Sequence, residues 1–169
     1  MFGYKFLKNG YPHDIPYNAI KIDKYLFANL KYVDPIILKI ARLYDLTPVH
    51  VNQGYVRCTT LPLKDSALIT EDSGIYKKAK NLGLDVLYLP HGNIEIDDFS
   101  YGFLAGSSGV VNDIIYINGD IDTYIYKDKF LQFIKERGFR VMSLSPKRNL
   151  KDIGSIFFLT EDPVLVGGI

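Results

Sequence analysis

The chain has one cysteine, Cys58, in the crowded stretch "VNQGYVRCTTLPL" (residues 51–63), with Gly54 and Arg57 before it and Thr59 and Thr60 after it. A thiolate is a strong nucleophile when its surroundings lower its pKa. Free cysteine is also among the most buried residue types, so the stretch reads equally well as a strand with a small apolar side chain packed inside. One cysteine excludes an intrachain disulfide and a cysteine-rich zinc site. The three histidines, His13, His50 and His91, lack the spacing of metal ligands, so neither metal nor cofactor is expected. "GFLAGSSG" (102–109) has the glycines of a phosphate loop but not its lysine or following helix, and it reads as a tight bend with close backbone approach.

The elements that must position these residues recur in one order. In the middle of the chain "YVRCTTLPL" alternates and is rich in β-formers, "SALIT" is a short apolar run, "EDSGIYKKAKNLG" has helical spacing, and "LDVLYLP" reads as a buried strand. That helix has Asp72 or Ser73 to cap it, Ile75, Ala79 and Leu82 on one face, Lys77, Lys78 and Lys80 toward solvent, and Gly83 as its stop. An earlier unit runs "NAIKID", "YLFANL", "VDPIILKIARLYD" and "LTPVHV", with Asp34 as cap and Pro35 at the first helical position. A later one runs "GFLAGSSGVV", "DIIYIN", a longer helix through "YKDKFLQFIKERG" with Phe130, Phe133 and Ile134 on one face, and "FRVMSLS".

The order is strand, strand, helix, strand. It divides a single domain into ββαβ units at 17–52, 53–90 and 101–145, with a partial unit at 152–169 whose "GSIFFLT" and "PVLVGGI" read as strands. Each unit has one amphipathic helix and a sheet needing cover, so neighbours must pack side by side, and a ring of them converges on a central pocket. The predicted fold class is α/β (α+β), built of about three and a half such units.

The bulk composition narrows the partners. Lys and Arg number 20 against 19 for Asp and Glu, which gives no pull toward nucleic acid or an anionic membrane. No run approaches the roughly 20 apolar residues of a membrane span, and "MFGYKFLKNGYPHDIP" has no apolar stretch after its charges, so a cytoplasmic location is expected. Thirteen tyrosines and ten phenylalanines without a tryptophan serve the core and interfaces first.

Units of this kind about a pseudo-symmetric centre resemble the guanidine-modifying enzyme fold, also called the pentein or α/β-propeller fold. That superfamily includes arginine and agmatine deiminases, amidinotransferases, dimethylarginine hydrolases and a ribosome-binding translation initiation factor that is not an enzyme. More closely, "YPHDIPYNAIKI", "NLKYVDP", "QGYVRCTT", "SALITEDSGIYKKAKNLGLDVLYL", "YGFLAGSSG" and "NGDI" resemble a bacterial family known by this fold rather than by an activity. The resemblance spans roughly residues 11–159. Members of that family carry more sequence before the position of Tyr11. This chain therefore reads as a shortened ring or a fragment, and an open edge implies a homodimer or higher oligomer.

In the enzymes of the superfamily the nucleophilic cysteine follows a glycine-rich turn and precedes small polar residues, and "QGYVRCTT" is similar. The resemblance implies Cys58 as the thiolate that attacks the guanidinium carbon, with His91 as acid/base and Glu95, four residues on, as a carboxylate that clamps the substrate. Asp120 in "INGDID" resembles the substrate-binding carboxylate, and Asn52, Gln53, Arg57 and Asn118 complete the candidate ligand set. On a strand Arg57 points away from Cys58. The catalytic members place their cysteine in the final unit, after the histidine and carboxylates, whereas Cys58 precedes His91 and Asp120. The first expectation is accordingly a non-catalytic domain that binds a protein or a small guanidino or other nitrogenous molecule. The second is a cysteine-dependent hydrolase or transferase acting through a covalent thiol intermediate.

Overall fold

The computed structural model describes residues 2–159. β1 (Ala19–Ile22), β2 (Tyr25–Ala28), α1 (Pro35–Leu43) and β3 (Thr47–His50) form the first unit. A single helical turn, α2 (Val56–Thr59), leads into β4 (Thr60–Pro62), β5 (Ala67–Thr70), α3 (Ser73–Asn81) and β6 (Asp85–Tyr88). The third unit has β7 (Ser108–Val111), β8 (Ile114–Ile117), a 3-10 turn at Ile121–Thr123, α4 (Lys127–Lys135) and β9 (Arg140–Ser143).

Every unit makes its own three-stranded sheet in chain order, its first two strands antiparallel and its last two parallel. The geometry follows from the connections. Asp23, Ser66 and Asn112 take φ values of +54°, +62° and +55° in the turns between antiparallel strands, a conformation that short polar side chains tolerate best. The parallel pair needs a crossover, which the helix supplies. Asp34 caps α1 by accepting from the Ile36 amide at 2.7 Å, and Asp72 caps α3 by accepting from the Ile75 amide at 2.8 Å. Gly83 and Gly138 leave α3 and α4 at φ +77° and +73°, and Asp45 does the same after α1 at +50°.

The helices lie between sheets. One core cluster joins Ile20, Phe27 and Val49 of the first sheet to Ile75, Ala79 and Leu84 of the second unit. A second joins Leu61 and Ile69 to Phe130, Phe133, Ile134 and Phe139 of the third. Thus α3 covers the first sheet and α4 the second, while the first strands are innermost, β4 touching β1 on one side and β7 on the other. The result is a partial α/β-propeller. Among the described residues no helix is long and apolar enough to cross a membrane.

Four expectations change. "YVRCTT" is not a strand up to Thr60, because α2 takes Val56–Thr59. Tyr55 O accepts both the Cys58 and Thr59 amides at 3.1 and 3.0 Å, the Thr59 hydroxyl bonds back to the same carbonyl, and Asn18 Oδ1 takes the Arg57 amide at 2.7 Å. These local bonds outweigh β-propensity. The strand expected over "GFLAGSSGVV" begins only at Ser108, because "GFLAGSSG" makes the tight bend read from its glycines, at 104–107, with the Ser107 hydroxyl on Leu104 O at 2.8 Å. α4 is no longer than its counterparts, since Asp120 caps the separate 3-10 turn ahead of it. Residues 154–159 form no strand, although the Ile156 amide bonds to Ser108 O at 3.1 Å, and "PVLVGGI" lies outside the described residues.

Candidate functional site

Cys58 is half-buried on α2, at the inner end of the fan between β1 and β4. Burial pushes its thiol pKa up and the Asp152 carboxylate pushes it further, against the opposing pull of the Arg57 guanidinium and a hydrogen bond with Asn18. The helical turn also corrects the strand argument for Arg57, whose charge does reach the thiol. The Arg57 guanidinium sits 5.1 Å from the centre of the Phe157 ring, and among the described residues its buried Nη1 has no acceptor.

Two buried carboxyl groups share this centre. Glu71 follows β5 directly, is 4% exposed, and accepts the Leu104 amide at 2.6 Å on Oε2 while its Oε1 has no partner. Burial, reinforced by the charge of Asp152, raises its pKa to about 8. Asp152, also buried, accepts the Phe103 amide at 2.9 Å and the Gly154 amide at 2.8 Å. Its carboxylate occupies the space a Cβ would need at Gly106, which is what the tight bend in "GFLAGSSG" provides.

His91 is exposed and stacks on Tyr101 at 4.2 Å, with Phe103 at 5.5 Å, while the charges acting on Cys58 are those of Asp152 and Arg57. Gln53 is committed to Asp72 Oδ2 at 3.1 Å and to the Tyr55 amide at 3.0 Å. Asn52 is exposed, and its carbonyl accepts from Asn29. Asp120 caps the 3-10 turn through the Asp122 amide at 3.0 Å and holds the Lys147 amide at 3.2 Å.

Glu95 and Asn118 meet elsewhere. Together with Ser145, Arg148, Asn149 and Lys151 they line an open polar cleft of about 440 Å³, and Cys58 is not among its lining residues. Glu95 leaves its strand-like bridge to Lys151 with Oε1 accepting from Asn149 Nδ2 at 2.7 Å. Asn118 donates to Lys151 O at 3.0 Å and accepts from the Ser145 hydroxyl at 3.2 Å. Lys151 pairs with Asp97 at 2.8 Å, and Arg148 is exposed with no carboxylate partner among the described residues.

Comparison with known proteins bears on the fold and the family. A model described as "Family of unknown function (DUF6873)" matches residues 1–157. The chain belongs to that family. No curated protein matches it. Among solved structures this family member resembles C. jejuni agmatine deiminase with a TM-score of 0.52 at 9% identity, over 76% of this chain and 48% of that one. It also resembles a mutant of the dimethylarginine dimethylaminohydrolase from Pseudomonas aeruginosa complexed with citrulline, at TM-score 0.50 and 12% identity, over 76% of this chain and 47% of that one. The chain thus spans about half the length of these neighbours, and its fold is the pentein fold.

Sequence reasoning missed Glu71, Asp152, Asn18 and Arg148. Glu71 had a signal: the residue directly after the middle strand is Asn29, Glu71 and Asn118 in the three units, so choosing Asn118 entailed the other two. Asp152 and Arg148 belong to a segment with no repeat partner, and nothing in their spacing marks them.

Proposed function

We propose that this chain is a binding domain for a small nitrogenous molecule carrying both a cationic and an anionic group, held in the polar cleft without turnover. The observation that carries this reading is the division of the candidate residues. Glu95 and Asn118 line a cleft that also holds Arg148, whereas Cys58 sits apart as a thiol kept neutral by burial beside a carboxylate. Glu95 receives the cationic group, Arg148 the anionic one, and Asn118 and Ser145 add hydrogen bonds. The fold neighbours, an agmatine deiminase and a dimethylarginine dimethylaminohydrolase holding citrulline, support guanidino and ureido compounds as the class to test first. Calorimetric titration with L-arginine is expected to show binding that Glu95→Gln abolishes and Cys58→Ala leaves intact. Loss of binding in Cys58→Ala with retention in Glu95→Gln would overturn the assignment.

A second reading, a cysteine-dependent hydrolase or transferase, draws on the Asp152 carboxylate, whose charge reaches both Cys58 and Glu71, a setting that favours a cation. Iodoacetamide labelling separates the two. A binding domain labels at Cys58 only above the free-thiol pKa of about 8.5. Rapid labelling at neutral pH, with a covalent adduct seen by mass spectrometry on adding substrate, would favour the enzyme.

A further inference from the structure

Within the chain, a helix of one unit covers the sheet of the unit before it, and it does so twice with the same positions. The residue just before the left-handed helix stop is Leu82 in the second unit and Arg137 in the third. Leu82 packs on the cluster that joins the first two sheets. Arg137 reaches back to Asp85, the first residue of β6, with Nε 2.7 Å from Oδ2. The sheet residues so covered are Phe27 and Val49 in the first unit, 0% and 9% exposed, and Ile69 with Leu87 in the second.

At the two ends of the fan the same positions lack their partners among the described residues. The third-unit counterparts of Phe27 and Val49 are Tyr116 and Met142, and that of Asp85 is Arg140. Residues 155–158 cover part of this face, with the Ile156 backbone against Gly109 and the Phe158 ring 4.9 Å from Tyr116. Among the described residues the β9 side is open: Met142 is 47% exposed, and the Arg140 side chain, paired with Asp113 at 3.5 Å, is 71% exposed. At the other end α1 offers Leu43 and Tyr44, each 63% exposed, and Tyr44 is the counterpart of Leu82 and Arg137.

We propose that α1 of one copy docks on the open β9 side of the third sheet of a second copy, head to tail, repeating the contact that α3 and α4 make inside the chain. Transferring the internal contact places Tyr44 where Arg137 stands and Arg140 where Asp85 stands, so an ion pair is replaced by a guanidinium over a tyrosine ring. Met142 packs beneath the docked helix as Val49 and Leu87 do beneath α3 and α4. Such a contact is heterologous, joining two different surfaces, and it builds a closed ring or a chain of copies rather than a two-fold dimer.

Single-cysteine variants test the geometry. With Cys58→Ser as background, Tyr44→Cys and Arg140→Cys proteins are prepared separately, mixed and treated with a short bismaleimide; an arginine-to-aspartate contact spaces the two backbones beyond disulfide reach but within that of the linker. The expected product is the mixed Tyr44→Cys with Arg140→Cys cross-link, well above either self-linked species. Light scattering of the full chain at micromolar concentration is expected to give a mass of two or more copies, falling to one in Tyr44→Glu and in Met142→Glu. Tyr44 is exposed, so its variant folds whatever the oligomeric state, as circular dichroism checks. A single-copy mass for the unaltered chain, or cross-links only between like positions, would overturn the proposal.

Discussion

The position after the middle strand is occupied by Glu71 in the second unit and by Asn118 in the third, and their fates diverge. Glu71 is sealed by the following unit: the Leu104 amide binds one carboxyl oxygen and the other has no partner. Asn118 is met by a single extended segment, bonding to Lys151 O while one side stays open to the cleft. Equivalent backbone slots thus become a buried acid or a binding surface according to what the next stretch of chain lays over them. The difference is one of cover, since the strand and its register are the same in both.

The largest way to break that comparison is Glu71→Gln. The folded chain keeps the Glu71 proton up to about pH 8, while the unfolded chain releases it near the ordinary value of 4.5. Over that interval the unfolded state binds fewer protons, so stability falls as pH rises, by at most about 1.4 kcal/mol per unit. The glutamine variant keeps an acceptor for the Leu104 amide and has no such slope. Relative to the unaltered chain it is expected to gain on the order of 3 kcal/mol at pH 8 and close to nothing at pH 4. Urea denaturation across pH checks this, and an unchanged slope would remove Glu71 as the responsible group.

Gly106→Ala tests the other half of the buried centre. A Cβ there collides with the Asp152 carboxylate, which must move away from the Phe103 and Gly154 amides it holds. The expected loss is about 1–3 kcal/mol. A neutral result in thermal unfolding would mean that the bend relaxes and that Asp152 is not fixed by it.

Much of the frame was legible before the structure. The Asp34 cap, the Asp72 cap as one of two candidates, the Gly83 and Gly138 stops and the apolar faces of two helices all follow from local rules, and they locate the sheets between them. The site was less legible because its residues are defined by contacts between units. Cys58 leaves the strand that its neighbours' β-propensity predicts because Asn18, forty residues earlier in the sequence, captures the Arg57 amide. His91 directly follows the unit of Cys58 in the sequence, yet the imidazole is taken up by Tyr101 and Phe103. Asp152 acquires its role from the glycine it faces, a pairing that no spacing in one sequence exposes.

Asn118→Ala sharpens the comparison at the open slot. It removes a hydrogen bond to Lys151 O and one from Ser145 in a half-buried setting, at an expected stability cost of about 1 kcal/mol. Binding of L-arginine in the cleft should weaken about tenfold, an effect that calorimetry separates from the modest stability loss. Equal binding in the variant would move the ligand away from this slot.

Arg148→Ala has the smallest effect on the fold and the most specific one on the ligand. The side chain is exposed and makes no ion pair among the described residues, so unfolding should shift by no more than about 0.5 kcal/mol. A guanidinium that meets a ligand carboxylate contributes a charge-assisted bond of about 1.5–3 kcal/mol, so L-arginine should lose tenfold or more in affinity. Agmatine has the same guanidinium but no carboxylate, and its affinity should not change. The pair of ligands therefore reads the cleft from both ends: Glu95→Gln weakens both compounds, and Arg148→Ala only the one with an anionic group. If both weaken alike in Arg148→Ala, the arginine is shaping the cleft rather than contacting the ligand, and the open slot of the third unit is then as structural as the sealed slot of the second.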